Sequence, residues 1–388
     1  MRSVYNEEWL HSLRVIKESK TWLKSKLISE AQFKGITEVY KAGFYHPNFV
    51  IRILIFIATL LGLSGVTGVL ALIILDTNET VISIGSMLYG IGSFAFLDRA
   101  IIKNSNHYKS GLTEALIYHA CGFTIAGFAG LIDFAILPIL FGAAVVTGYA
   151  AYRYLDLVTT TSSFLLVAYI IFHVLYEMGG IAQMIIPFAF ILIFTPTYFF
   201  IARLRKKQGA EIWQNNLLLI ESLLLLVIYL AGNYLVVREL TINLMGLTLE
   251  PGQDIPFAFL FYILTLLIPV LYLYFGIKRK KMVLIRVSLL VIAFSVFTFK
   301  YYYGFNLPEI SLTVAGIMLL GISLMLFNYL KTIRSGFTRE NLLSEKWASM
   351  NAEAFIISQT MGGSQVKVDD SFQGQGGDFG GGGSSGSF

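Results

Sequence analysis

The chain carries one uninterrupted apolar stretch that decides the fold, IRILIFIATLLGLSGVTGVLALIIL, from Ile51 to Leu75. A helix rises about 1.5 Å per residue and the hydrocarbon core of a bilayer is roughly 30 Å thick, so about 20 such residues cross it. The stretch is long enough to span a membrane, and its single charged residue, Arg52, stands at its start.

Further stretches of the same kind follow along the chain, which predicts an all-α integral membrane protein of about ten transmembrane helices. The predicted spans cover residues 51–75, 81–97, 112–132, 134–151, 157–176, 179–202, 213–237, 256–277, 282–299 and 310–330. The third and fourth spans are joined by little more than Asp133, which predicts a tight hairpin.

Composition excludes a water-soluble protein. Of 388 residues, 56% are hydrophobic and 14% are charged, and the mean hydropathy is +0.69. Soluble domains carry roughly 25% charged residues, so a soluble globule of this size would lack polar surface. The lone cysteine, Cys121, excludes an internal disulfide and a cysteine-based zinc site.

Basic residues give the predicted orientation of the spans. Cytoplasmic loops of membrane proteins carry an excess of Lys and Arg. With both termini in the cytoplasm, all but two of the 29 Lys and Arg residues lie on the cytoplasmic side, the exceptions being Arg238 and Lys300. These residues form short clusters beside the spans, which favours membrane lipids as partners and excludes nucleic acid.

The ends of the chain differ from the spans in composition. Residues 1–50 predict a short amphipathic helical hairpin in the cytoplasm, with Asn6 capping the first helix and Ser29 and Gln32 forming a capping box at the second. This hairpin either packs on the membrane or the bundle, or docks a cytoplasmic protein partner. The transmembrane bundle is assigned residues 51–330, a cytoplasmic helix 331–361 and a disordered Gly- and Ser-rich tail 362–388.

The N-terminal third resembles a family of uncharacterised bacterial polytopic membrane proteins, the domain of unknown function numbered 2157. The residues that carry this resemblance are Trp22-Leu23, Leu27-Ile28-Ser29-Glu30-Ala31-Gln32, Ile36, Tyr40 and the glycines Gly62, Gly65 and Gly68 of the first span. The resemblance implies a multi-pass protein of the bacterial cytoplasmic (inner) membrane. It implies no activity and no functional residues.

Polar residues inside the predicted spans are the best indicators of function, because a charge at the bilayer centre costs about 2.5–3.5 kcal/mol. Glu221 lies near the middle of the seventh span, and Gln214 lies on the same helix face, with Asn216 close by. In one interpretation Glu221 carries a proton or a cation across the membrane. In the other, it is a hydrogen-bonded acid that holds helices together.

Three further residues complete the candidate set. His119 lies deep in the third span, whereas His173 and Glu177 stand four residues apart at the outer end of the fifth. Residues four apart share a helix face, so this His–Glu pair either relays protons from outside or is simply interfacial. Pro138, Pro187, Pro196 and Pro269 fall within spans, and the sixth span, with two of them, is the expected distorted helix.

Motifs for catalysis are missing from the sequence. It has no phosphate-binding loop and no His-Glu-x-x-His, and its five histidines are too scattered to predict a metal site, so neither a cofactor nor a metal is expected. Three function classes stay open: a membrane scaffold or assembly component, a proton-coupled transporter that uses Glu221, and an integral membrane enzyme acting on lipid at the cytoplasmic interface. The last depends on Glu114 and the segment Tyr152-Arg153-Tyr154-Leu155-Asp156.

Overall fold

The computed structural model describes residues 3–24, 27–74, 76–244, 246 and 253–302, with six separate positions between 317 and 328. Twelve α-helices and no β-strand occur in these ranges, and nine helices there are long and apolar enough to cross a membrane. The prediction of an all-α, multi-pass membrane protein is confirmed.

The helices follow one another with short connections. Their bounds are α1 Glu7–Lys24, α2 Glu30–Val39, α3 Phe49–Ile74, α4 Glu79–Phe96, α5 Leu112–Leu131, α6 Ile136–Tyr154, α7 Leu157–Glu177, α8 Ile181–Leu204, α9 Gln214–Gly232, α10 Tyr234–Asn243, α11 Ala258–Lys278 and α12 Met282–Tyr302. A π-helical segment, Leu97–Asn104, continues α4, and a 3₁₀ turn, Ala210–Trp213, precedes α9. The nine candidate spans are α3 to α9, α11 and α12, as far as the described residues extend. We call the side of the bundle where α3 begins the α1 end, and the opposite side the far end.

Nine of the ten predicted spans correspond to these helices. The tenth, residues 310–330, lies almost wholly outside the described residues, as do the predicted helix 331–361 and tail 362–388. The hairpin predicted at Asp133 is present, since only residues 132–135 separate α5 from α6 and both Asp133 and Phe134 have positive φ.

Helices α1 and α2 lie outside the set of candidate spans. Both predicted caps are present: Asn6 Oδ1 accepts from the Trp9 backbone N–H at 3.2 Å, and Ser29 and Gln32 form the capping box. The segment before α1 packs on the bundle through Tyr5, which is 4% exposed and meets the ring of Tyr108 edge-on at 4.9 Å.

Helices α4 and α5 approach closely because glycines face the partner backbone. A Cβ atom at Gly127 would lie 2.4 Å from the Met87 backbone nitrogen and 2.5 Å from the Ser83 carbonyl oxygen. A Cβ at Gly90 would lie 2.5 Å from the Thr124 backbone nitrogen. Small residues at helix contacts are how membrane helices gain van der Waals packing.

We expect Gly127→Ala to separate α4 from α5 and to lower the free energy of unfolding by about 1–2 kcal/mol, the range for overpacking a close contact. Gly122→Ala on the same helix is the control, since a Cβ there meets nothing within 4 Å. The thermal unfolding midpoint in detergent compares the two variants. Equal midpoints would show that the close approach of α4 and α5 does not need this glycine.

Three apolar cores fill the described part of the bundle, and the smallest joins α10 to α11 through Tyr234, Val237 and Phe261. The first joins α4, α5 and α6 at the α1 end, with Leu97, Ala120 and Tyr154 at its centre. The second joins α7, α8, α9, α11 and α12, with Leu224 and Val291 fully buried. Helix α3 has no buried residue; one face packs on α5 through Phe56 and Thr67, and the rest of its surface is exposed. The first core thus lies in the N-terminal half of the spanning region, and the other two lie in its C-terminal half.

Candidate functional site

The seventh predicted span is not continuous. Helix α9 ends at Gly232, and Asn233 has extended backbone angles, φ −84° and ψ 125°. The Asn233 side chain then caps α10, because its Oδ1 accepts from the Val236 backbone N–H at 3.2 Å. Asn233 is fully buried, so the break lies inside the protein. The prediction of one helix over residues 213–237 is wrong because an asparagine cap interrupts it.

The break faces a second irregularity, at Pro269 of α11. Proline has no N–H, so it leaves the carbonyl of the residue four positions earlier, Thr265, without its helical partner. The Ser295 hydroxyl of α12 donates to this carbonyl at 2.7 Å. The Thr265 hydroxyl in turn accepts from the Tyr234 backbone N–H at 2.9 Å, at the start of α10. The proline-containing helix therefore satisfies a backbone N–H at the break through Thr265, and α12 satisfies the carbonyl that the proline frees.

Side chains extend this arrangement into a closed hydrogen-bond network. Asn233 Nδ2 donates to the Tyr229 hydroxyl at 2.8 Å and to Thr298 Oγ1 at 3.0 Å, and the hydroxyls of Tyr229 and Ser295 lie 2.8 Å apart. None of these residues is more than 4% exposed. We call the set Tyr229, Asn233, Thr265, Ser295 and Thr298 the helix-break network. It links α9, α11 and α12 through polar groups in the second core.

A cavity of about 110 Å³ approaches the helix-break network from the far end. Its lining includes Gln183 and Pro187 of α8, Thr241 of α10 and Phe261 of α11. Phe261 is 2% exposed, and its carbonyl accepts from the Thr265 hydroxyl at 2.7 Å. One helical turn of α11 thus separates the cavity from the network.

Glu221 forms a buried ion pair. Its Oε2 accepts from Arg205 Nε at 2.9 Å, with side-chain exposures of 0% for Glu221 and 19% for Arg205. Arg205 caps the C-terminal end of α8, and Glu221 lies seven residues after the start of α9, about 10 Å along the helix. Sequence reasoning did not identify this partner, because the arginine belongs to a cluster that is typical of an ordinary cytoplasmic loop.

A second group faces the same carboxylate. The Tyr198 hydroxyl lies beside Glu221, and its interaction with that carboxylate has both an electrostatic and a hydrogen-bonding part. The Lys281 ammonium lies 5.7 Å from the centre of the Tyr198 ring. Burial lowers the pKa of Lys281, with the Glu221 charge acting in the opposite direction. Glu221 therefore lies near two cations, Arg205 and Lys281, and beside a tyrosine hydroxyl that can donate to it.

The ion pair and the helix-break network share one helix. Twelve residues of α9 and its cap, about 18 Å, separate Glu221 from Asn233. Between them lie Leu225 and Tyr229, and the Leu225 carbonyl accepts from the Tyr272 hydroxyl of α11 at 3.1 Å. The polar groups of the second core are thus placed along the buried side of α9.

Gln214 and Asn216 occupy different surroundings. Gln214 begins α9 and lines a cleft at the α1 end. Asn216 is 5% exposed, and its Nδ2 donates to Thr160 Oγ1 at 2.6 Å and to the Asp156 carbonyl at 3.2 Å, which ties α9 to the start of α7. Neither residue contacts Glu221 through a hydrogen bond.

The histidines are not brought to Glu221. His119 lies in the first core, with Nε2 3.3 Å from the Thr67 hydroxyl and Nδ1 buried without a partner. His173 stacks on Tyr169 at 6.0 Å and forms no ion pair or hydrogen bond with Glu177, although both residues are described. The geometry therefore does not join these predicted residues into one proton path.

The segment considered for a lipid enzyme is held by structural contacts. Arg153 donates to Asp98 through Nε at 2.9 Å and also through Nη2, and the Tyr154 hydroxyl donates to the same carboxylate. Asp156 caps α7 through the Thr159 backbone N–H. Glu114 is 6% exposed, and it pairs with Arg52 and accepts from the Gly111 backbone N–H.

The prolines within the spans differ in their effect on the helices that contain them. Pro138 lies in the first turn of α6, where a missing N–H leaves no helical carbonyl without its partner. Helix α8 stays α-helical through Pro187 and Pro196, so the sixth span is not the interrupted one. The interruption falls in the seventh span because Asn233 supplies a cap that α8 lacks.

Within the part of the chain that the structure describes, no group of three His, Cys, Asp or Glu residues could hold a metal ion. No family model, curated protein or solved structure matches the chain. The resemblance to the bacterial family therefore stays a prediction. The fold defines the class, a polytopic α-helical membrane protein, and any narrower function rests on the geometry of the second core.

Sequence reasoning missed the residues that complete this site, although signals for some were present. Asn233 follows Gly232, a pair typical of a helix end and a new cap. Thr265 stands four residues before Pro269, the position whose carbonyl a proline frees. Nothing in the sequence marks Ser295 and Thr298 as part of the site, because serine and threonine are common in membrane helices.

Proposed function

We propose that the chain is a proton-coupled secondary transporter of a bacterial inner membrane, with its substrate site at the helix-break network and Glu221 as the residue that exchanges a proton. The observation that carries this proposal is the packing of the α9–α10 break against Pro269. Irregular backbone at membrane depth is tolerated where protein buries it or where it lines a cavity. Discontinuous helices of this kind form substrate and ion sites in transporters.

Glu221 supplies the proton-linked element in this proposal. A buried carboxylate that has one arginine contact and a neighbouring tyrosine hydroxyl can trade its ion pair for a proton. Arg205, 19% exposed at the end of α8, can turn to solvent when that happens. Because α9 carries both Glu221 and the break, a shift of this helix would connect protonation with the substrate site.

The proposed topology has ten spans and cytoplasmic N- and C-termini. The α1 end holds the clusters Arg203–Lys207 and Lys278–Lys281, whereas the described far end holds Arg238 and Lys300. This asymmetry follows the positive-inside rule with the α1 end in the cytoplasm. The residues assigned to a tenth span would return the chain to the cytoplasm.

A membrane scaffold or assembly component is the second candidate. Helix α2 has no buried residue, and Val39 at its end is 76% exposed, so it could present a surface to a cytoplasmic protein partner. The lipid-enzyme alternative has less support, because Arg153, Asp156 and Glu114 are all engaged in structural contacts.

Carbodiimide labelling tests the transporter proposal, because the reagent modifies a protonated carboxyl that it can reach. The full chain in lipid nanodiscs is labelled at a series of pH values, and the peptide containing Glu221 is quantified by mass spectrometry. We expect modification of Glu221 that rises as the pH falls, because protonation competes with the Arg205 ion pair.

Glu114 is the internal control in the same sample, since it is also buried and paired with an arginine but lies in the first core. Labelling of Glu221 well above that of Glu114 supports a proton path in the second core. No labelling of Glu221 at any pH, with the chain folded, would mean a sealed structural acid and would favour the scaffold.

A further inference from the structure

A cleft of about 730 Å³ opens at the α1 end between α1 and the bundle. One wall is α1 itself, and the others are formed by the loop before α5 and the 3₁₀ turn before α9. Its lining includes the apolar residues Leu10, Leu13, Ile16, Leu155 and Ile212 beside many charged ones. The cleft thus combines apolar and charged walls next to the ends of the spanning helices.

The positive charges of the cleft are not fully neutralised. Arg14 forms two ion pairs, one with Glu18 at 3.6 Å and one with Glu211 at 3.5 Å. Lys17 and Lys109, which face the cleft from α1 and from the loop before α5, form no ion pair with any residue that the structure describes. Glu7 is the remaining carboxylate of the lining, and Lys20, His11 and His46 add basic groups.

Lys109 is held in this position by the backbone and by an aromatic ring. It has a positive φ of 47°, and its ammonium lies 5.5 Å from the centre of the Tyr108 ring. Burial lowers the pKa of Lys109, and the nearby charges of Arg52 and Lys17 act in the same direction, whereas Asp156 and Glu114 oppose them. Cations brought together in this way are stabilised by an anion placed between them.

We propose that this cleft binds the phosphate-bearing headgroup of an anionic phospholipid, with Lys17 and Lys109 as its cationic contacts. A lysine ammonium binds phosphate as a point charge and can donate up to three hydrogen bonds to its oxygens. The apolar wall next to the spans can contact the glycerol and upper acyl chains of a phospholipid. Free phosphate has no apolar part that would contact this wall. Basic pockets between membrane helices are a known means of selecting anionic headgroups.

The test is native mass spectrometry of the full chain, extracted with phosphatidylglycerol or with phosphatidylcholine. We expect retained phosphatidylglycerol and little phosphatidylcholine. Lys17→Gln and Lys109→Gln should each lower the retained phosphatidylglycerol about fivefold, the effect expected for one basic side chain at an anionic membrane surface.

Lys103→Gln is the matched control, because Lys103 is an exposed lysine near the same end of the bundle that does not line the cleft. The thermal unfolding midpoint is measured for each variant, and Lys17, exposed on α1, provides a test should Lys109→Gln fail to fold. Equal retention by the Lys17 and Lys103 variants would overturn the proposal. Displacement of the lipid by millimolar inorganic phosphate would also overturn it, since the site would then recognise phosphate alone.

Discussion

Arg205→Ala is expected to lower the free energy of unfolding by about 3 kcal/mol. Removing one partner of a buried ion pair leaves the other charge uncompensated, which costs roughly 3–5 kcal/mol. We expect the lower end of that range, because Arg205 is 19% exposed whereas Glu221 is fully buried. Denaturant titration of the purified chain in mixed micelles measures the change.

Arg203→Ala is the control for this prediction, since Arg203 lies at the same end of α8, is exposed and forms no ion pair with a described residue. The double variant Arg205→Met with Glu221→Leu should recover most of the lost stability, because it removes both charges and fills the space with apolar atoms. Equal effects of Arg205→Ala and Arg203→Ala would show that the pair does not stabilise the fold.

Ser295→Ala is expected to lower the free energy of unfolding by about 2 kcal/mol, because it leaves the Thr265 carbonyl buried without a hydrogen bond. The same change should cost far less in a Pro269→Ala background. There the new backbone N–H at position 269 can donate to the Thr265 carbonyl, so the Ser295 hydroxyl is no longer needed for it. A double-mutant cycle on unfolding free energies measures this dependence.

Ser288→Ala is the control for the cycle. Ser288 is fully buried on the same helix, but its hydroxyl donates within α12 to the Ile285 carbonyl at 2.8 Å. We expect its cost to be the same in the native and the Pro269→Ala backgrounds. Additive effects of Ser295→Ala and Pro269→Ala would contradict the assignment of Ser295 as the partner of the carbonyl that Pro269 frees.

The spans could be predicted from the sequence because bilayer thickness converts directly into the length of an apolar run. The helix break could not be read in the same way, since Leu230 to Val237 stays apolar enough to continue a hydropathy window across Asn233. What ends α9 is a local hydrogen bond from the Val236 N–H, which competes with the helical ladder. A hydropathy value averaged over a whole span does not detect a single hydrogen bond of this kind.

The candidate site was partly predictable for a different reason. Glu221 stands out because an acid is rare in an apolar span, but its partner Arg205 lies 16 residues earlier in a basic loop and looks like an ordinary topology signal. Glu114 shows the same limit, since its pairing with Arg52 needs the fold of α3 against α5. Sequence spacing reveals contacts within one helix and conceals those between helices.

The polar residues of the second core lie at two levels of the bundle. The Glu221–Arg205 pair and the helix-break network lie along the same helix, one toward the α1 end and the other toward the far end. In the proposed transporter, the first would face the cytoplasm and the second would lie beneath the cavity floored by Phe261. A carrier of this kind needs the network to meet water from each side in turn.

Thiol accessibility at position 295 tests that requirement most directly. Ser295→Cys is nearly isosteric, and Cys121→Ala removes the only other thiol in the chain. Oriented proteoliposomes are treated with a charged methanethiosulfonate from either side at pH 5.5 and pH 8, with lipid-facing Leu192→Cys, 76% exposed, as the control for reagent in the membrane. We predict labelling at position 295 at a rate that changes with side and pH, while position 192 stays unlabelled. No labelling at position 295 from either side at either pH would contradict the transporter account.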